Sequence, residues 1–147
     1  MKKRVFGKKF SRGQGARKAL FKSLIRALVI HGEIKTTFVK AKTVQREVDR
    51  LLTKVKVKGV LEARKISAFF GNDKVITRLF FEKIVPVFMN RKSGFTKITR
   101  VGRRLGDGAE MARLMWVEKI ETSLPKQVGE KRKGDKNANL STKSKRH

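Results

Sequence analysis

The strongest constraint on this chain is its unbalanced positive charge: 39 Lys and Arg stand against 12 Asp and Glu, a formal +27 on 147 residues. Self-repulsion on that scale opposes a compact state unless a polyanion offsets it. Hydrophobic residues make up 39% of the chain, enough for one modest core. A small domain with a phosphate-seeking surface is the expectation.

The charge is not evenly spread. Residues 1–18 hold eight bases and no acid, residues 19–121 hold 23 bases and ten acids, and residues 122–147 hold eight bases and two acids. The chain divides into a basic arm at 1–14, a single globular body at 15–121 and a basic tail at 122–147. In the arm, Val5, Phe6 and Phe10 lie among Gly7 and Gly13. That is too little apolar surface to fold alone. Such an arm can order against phosphates, with its aromatics wedging or stacking on RNA. The tail, with Pro125, Gly129 and Gly134, reads as disordered beyond about Glu121.

There is no cysteine, which removes disulfides and thiolate chemistry and fits a reducing compartment. The apolar stretch Leu20–Ile30 is interrupted by Lys22 and Arg26, so it is neither a membrane span nor a signal peptide. A basic organellar presequence stays open.

Within the body, Leu20, Leu24 and Leu28 recur every four residues beside Phe21 and Ile25. This predicts an amphipathic helix over about Gly15–Ile30, ended by His31-Gly32. Glu33–Thr36 is short and extended. Thr36 or Thr37 caps the next helix, whose apolar face is Ala41, Val44, Val48, Leu51 and Val55. Gly59 is expected to break it, giving a third helix over about Val60–Phe70 that ends at Gly71. Asn72 or Asp73 caps a fourth helix with Ile76, Leu79, Phe80 and Ile84 apolar. That helix ends or bends before Pro86. From Phe95 the period falls to two. A strand to Val101, a loop Gly102–Gly108 and a strand over Ala109–Glu118 make a C-terminal hairpin. One face of its second strand carries Ala112, Leu114 and Trp116. The other carries Met111, Arg113, Met115 and Val117, too apolar for free solvation, so helices or a partner must cover it. The fold class is α+β, two-layer, with about four helices on a small sheet and disordered basic tails.

Catalysis finds no footing. The two histidines are His31 at a helix end and His147 at the chain end, and the carboxylates stand singly beside bases, as Glu47 does beside Arg50. No His or Cys cluster is spaced to bind a metal. The glycines of Gly102–Gly108 match neither a dinucleotide nor a P-loop pattern, and read as a hairpin turn that also touches phosphate. No enzyme, cofactor, small-molecule substrate or membrane partner is expected.

The bases are what remains. On a typical helix face they would simply be solvated, but nothing on the chain compensates +27. A polyanion does so by releasing condensed counterions. Lys2, Lys3, Arg4, Lys8, Lys9 and Arg12, followed by Arg17, Lys18 and Lys22, are the first group of candidate RNA contacts. Lys40, Lys42, Arg46 and Arg50 are a second, continuing to Lys54 along one helix stripe. Arg91, Lys92, Lys97, Arg100, Arg103 and Arg104 form a third around the sheet.

Two strings then carry a resemblance. HGEIKTTFVKAK, His31–Lys42, and VGRRLGDGAEMA, Val101–Ala112, with Leu79-Phe80, Pro86, Phe88 and Ser93-Gly94-Phe95-Thr96 between them, fall in a recognisable order. Over about residues 1–120 the chain resembles the bacterial-type large-subunit ribosomal proteins of the seventeenth family. The resemblance implies helices on a small mixed sheet that includes Glu33–Thr36. It also implies large-subunit ribosomal RNA as ligand, near the nascent-chain exit tunnel, neighbouring ribosomal proteins as partners, and a cytoplasmic ribosome, with an organellar one as the alternative. By carry-over His31, Lys35, Thr36, Thr37, Lys40 and Lys42 meet RNA, while Gly106 and Asp107 shape the hairpin loop. The chain departs from the family pattern at Val39, where Pro is common, and at Met115, where a charge is common. The second departure favours a protein contact on the outer sheet face. Two rivals differ in class. A DNA-architectural or helix-turn-helix regulator lacks a convincing recognition-helix layout, and an RNA-modifying enzyme lacks titratable chemistry.

Overall fold

The computed structural model describes residues 8–120, and for residues 57–62 the backbone alone. The outer arm and the tail from Glu121 lie outside the described residues. The elements in chain order are α1 (Gln14–His31), β1 (Glu33–Thr37), α2 (Phe38–Phe69), α3 (Lys74–Leu79), a π turn (Phe80–Ile84), α4 (Val85–Val87), β2 (Thr96–Arg103) and β3 (Glu110–Trp116).

α1 forms where the four-residue apolar spacing placed it, and buries Ile25, Leu28 and Val29. Gly32 stops it at φ 76°, and its N–H reaches the Leu28 carbonyl at 2.9 Å. That left-handed turn feeds the chain directly into β1, whose Ile and Thr side chains favour extended backbone.

The three strands lie in the order β1-β3-β2. Both pairs are antiparallel, so the sheet is antiparallel throughout rather than mixed. β1 and β2 do run in the same direction, but β3 separates them and no parallel pair forms. Rows across the sheet are Ile34–Leu114–Ile98 and Thr36–Ala112–Arg100, with Thr96 opposite Trp116. These rows face the helical layer. Ala112, Leu114 and Trp116 are buried there against Val44, Val48 and Leu52 of α2 and the residues of α1.

Four further expectations need correcting. Gly59 does not break a helix, because α2 runs unbroken through it to Phe69. A mid-helix glycine costs only about 1 kcal/mol, and buried Leu52 and Ile66 on either side outweigh that. Thr37 takes the N-cap position of α2, but its side chain makes no capping bond, and Thr36 is a strand residue. Of the two outcomes expected at Pro86, an end or a bend, the end does not occur: helical structure continues through it to Val87. The turn before it widens to π geometry, with the Val85 N–H reaching back to the Phe80 carbonyl. That register skip accommodates a residue with no N–H to donate. Gly102 belongs to β2, at a bulge between Arg100 and Gly102, so the loop is shorter than its glycines indicated.

Asp73 caps α3 as expected, accepting from the Val75 and Ile76 N–H groups at 3.0 and 3.3 Å. Under the sheet, Phe88 packs on Phe95 and Trp116 with centroids 5.5 and 5.6 Å apart. The Trp116 Nε1–H donates to the Leu28 carbonyl at 3.2 Å in a buried contact, and its backbone N–H reaches the Gly32 carbonyl. One residue thereby ties the end of the sheet to the end of α1.

Candidate nucleic-acid interface

The β1–α2 corner gathers two of the predicted basic groups around one ring. Phe38 opens α2, and the Lys42 ammonium lies 5.9 Å from its ring centroid. The Arg100 guanidinium of β2 lies 4.8 Å from the same centroid. Contacts of this kind contribute about 0.5–1 kcal/mol at exposed sites. Their larger effect is geometric, because they join the helix stripe to the hairpin cations in one surface. Arg46, Arg50 and Lys54 continue it along the exposed face of α2. Arg50 also meets Glu47 at 3.0 Å, an exposed pair of small energetic weight.

The rest of the first motif splits between the faces of β1. His31 and Lys35 are exposed, and Thr37 and Lys40 partly so. Thr36 is buried opposite Ala112 and is withdrawn from the surface. The spacing TT puts successive side chains on opposite sides of a strand, so only one of the pair can face outward.

Around the sheet, Lys92, Lys97 and Arg103 are exposed. Arg91 is committed internally. Its guanidinium pairs with Glu118 at 3.5 Å and donates to the Ser93 carbonyl at 3.2 Å, while its own carbonyl accepts from Lys56. It holds the segment between α4 and β2 to the sheet edge. In the arm, Lys8, Lys9 and Arg12 are exposed, and Lys2, Lys3 and Arg4 lie outside the described residues. Phe10 packs edge-on against Phe21 of α1 at 5.9 Å, so this aromatic anchors the arm to the body. Along α1, Lys18 is exposed, Arg17 is partly so, and Lys22 lies over the Phe69 ring at 5.7 Å.

Sequence reasoning missed Phe38 as the centre of the cationic corner, although Phe followed by Lys four residues later was a visible signal. It also missed the pair of Arg26 with the Asp73 cap at 2.7 Å, which links α1 to α3. Among the described residues, no group of His, Asp or Glu is placed to hold a metal ion, and no helix is long and apolar enough to cross a membrane.

The hairpin tip is built around one carboxylate. Arg104 Nε donates to Asp107 Oδ1 at 3.0 Å, and the Ala109 N–H donates to the same oxygen at 3.2 Å. The Arg104 hydrogen bond, then the Ala109 N–H, lower the Asp107 pKa from 3.8 to about 2. A depressed folded-state value means that the contribution is complete above the ordinary value and is lost as pH falls through the folded one. The tip should therefore keep its form down to pH 3.8 and loosen only as pH approaches 2. A carbon-detected NMR titration of the Asp107 carboxyl checks this. A midpoint near the ordinary value would show the ion pair to be absent in solution.

Comparison with known proteins decides the family. The sequence profile of ribosomal protein L17 matches residues 20–117, which contain both motif strings. The chain belongs to the ribosomal protein L17 family. The large ribosomal subunit protein bL17 of Borrelia hermsii is 39% identical over 119 residues, covering 81% of this chain and 96% of that protein. Its counterpart in Coprothermobacter proteolyticus is 39% identical over 116 residues, covering 79% and 98%. That of Thermomicrobium roseum is 38% identical over 117 residues, covering 80% and 99%. The L17 match runs from within α1 to one residue past the end of β3, so the tail lies outside it.

Proposed function

We propose that this L17-family chain is a structural constituent of the large ribosomal subunit and holds folded ribosomal RNA through the basic surface of α2 and the hairpin. The observation that carries the reading is the joining of Lys42 and Arg100 at Phe38, inside a chain whose family is ribosomal. Cations from two separate motifs share one face, with few acids to neutralise them. Such a face suits phosphate contacts that fix position and carry no chemistry of their own. The contacting set is Lys8, Lys9, Arg12, Lys42, Arg46, Arg50, Arg100 and Arg103, extended by the outer arm, whereas Lys35 and Lys97 stand in the rows of Arg113 and Met115 on the other face of the sheet. The basic arm, held to the body at Phe10, and the basic tail flank the body as segments of their own in this reading, and the site lies near the exit tunnel, as the family likeness implies. The DNA-regulator alternative gains nothing, since α1 and α2 are joined through a strand and not through a helix–turn–helix turn.

A salt series on large-subunit ribosomal RNA tests the proposal. For roughly eight phosphate contacts, affinity should fall by orders of magnitude between 50 and 200 mM salt. Salt-insensitive binding would remove the electrostatic reading.

The outer face of the sheet has a different character. Met111 and Met115 are partly buried and Val117 is exposed, and none of the three belongs to the hydrophobic core cluster or to the residues packed against it. Arg113 at the centre pairs with Glu33 at 3.7 Å, which lowers the charge of this face. A neighbouring ribosomal protein is its proposed occupant. Met115→Glu is then expected to leave the melting temperature of the isolated chain within a few degrees, as for surface substitutions of about 0.5 kcal/mol. The same variant should be retained several-fold less on assembled subunits, measured by pelleting. Unfolding of the isolated variant would instead place Met115 in the core.

A further inference from the structure

Beyond the contact of Arg100 with Phe38, the outer end of the β2–β3 hairpin is exposed. Every residue from Thr99 to Gly108 is exposed, whereas Thr96, Leu114 and Trp116 at its base are buried. At the apex sits Leu105, 98% exposed, against 55% for the next most exposed of the large apolar side chains described. An isolated surface leucine needs no explanation. One placed at the apex of a braced turn differs, because the brace removes the entropy that ordering it on a partner would cost. The brace is extensive. The Arg104 N–H reaches the Ala109 carbonyl at 2.9 Å, and the Gly108 N–H reaches the Arg104 carbonyl at 3.0 Å. The Arg104–Asp107 pair closes the turn from the side-chain end. Beside Leu105, Gly106 holds φ 103° and no atom lies within 4 Å of where a side chain would begin, so bare backbone is offered next to the leucine.

The charges around the apex select the partner. The one carboxylate in the turn, Asp107, is consumed by Arg104 and the Ala109 N–H. Arg103 is exposed and forms no ion pair among the described residues, although Glu110 stands opposite it in the ladder. Behind them Arg100 leads back to the Phe38 corner. The path from the basic surface to the apex is therefore cationic. We infer that the tip is an insertion element: Leu105 enters between unstacked bases of folded RNA while Arg103 meets the adjoining phosphate. Apolar wedges of this kind hold open a base step that the flanking cations have located. The inference rests on the RNA-binding reading above and assigns its apolar component.

The test uses the full chain and large-subunit ribosomal RNA stripped of protein. Leu105 touches no core residue, so Leu105→Ala should fold normally. It is expected to bind roughly tenfold more weakly, from loss of buried aliphatic surface, with an unchanged salt slope because no phosphate contact is removed. Leu105→Met should restore affinity. Base-specific chemical probing should show nucleotides that become reactive with the parent protein and not with Leu105→Ala. Equal affinity of Leu105→Ala for stripped RNA overturns the inference. If that variant is instead lost only from subunits that retain their proteins, the tip seats in a protein. If the parent chain itself binds without salt dependence, the RNA reading falls first and the wedge with it.

Discussion

Replacing Trp116 with Ala is expected to destabilise the body by roughly 3–5 kcal/mol, the range for truncating a buried large aromatic residue. Small domains are stable by only about 5–15 kcal/mol, so the variant should be largely unfolded at modest denaturant concentrations. The size follows from what the ring touches. It packs at a tilt against Phe88, closes the row with Thr96 and ties β3 to the last turn of α1 through the Leu28 carbonyl. Trp116→Phe keeps most of the volume and gives up the Nε1–H bond. Leu28 still receives the Gly32 N–H, so no buried carbonyl is stranded, and about 1 kcal/mol is expected for the lost bond. Urea unfolding followed by far-UV circular dichroism separates the two variants. Near-equal midpoints for Ala and the parent would show that the sheet–α1 junction is not where stability resides.

The second large effect concerns binding. Lys42→Gln, Arg46→Gln and Arg50→Gln together remove three exposed cations from one face of α2 and leave its buried residues in place. Each phosphate contact adds roughly 0.7–0.9 to the slope of log affinity against log salt. The triple variant should lose about 2–3 in slope, and its affinity at low salt should fall about a hundredfold or more. Its helicity should not change, since Gln is nearly as good a helix former. An unchanged slope would mean that the stripe faces solvent in the complex, leaving the hairpin and arm as the contact surface.

Much of this was legible from residue order alone. Leu20, Leu24 and Leu28 announced α1, and the alternation of Ala112, Leu114 and Trp116 announced both a strand and its buried face. The stripe Lys42, Arg46, Arg50 and Lys54 is exposed, as its spacing required. What failed did so for tertiary reasons. Gly59 is a weak stop signal that buried neighbours on both sides override. Pro86 is tolerated because the turn before it widens, which no local rule foretells. Arg91 read as a surface cation because Glu118 and Lys56, its partners, are distant in sequence. Thr36 took an RNA contact from the family likeness, whereas strand alternation turns it inward opposite Ala112. Arg104, with Asp107 only three residues on, was decipherable in principle. The convergence of Lys42 and Arg100 on Phe38 was only half so, because one partner comes from the same helix and the other from across the fold.

The central claim is that this chain belongs in the large ribosomal subunit and is held there by charge. Sucrose-gradient sedimentation of a cell lysate, with the chain followed by immunoblot, tests it directly. At low salt the protein should co-sediment with large subunits and be absent from the top of the gradient. Nuclease digestion of the ribosomal RNA or a high-salt wash should release it. A protein that stays at the top, or sediments with DNA and never with large subunits, would contradict the account.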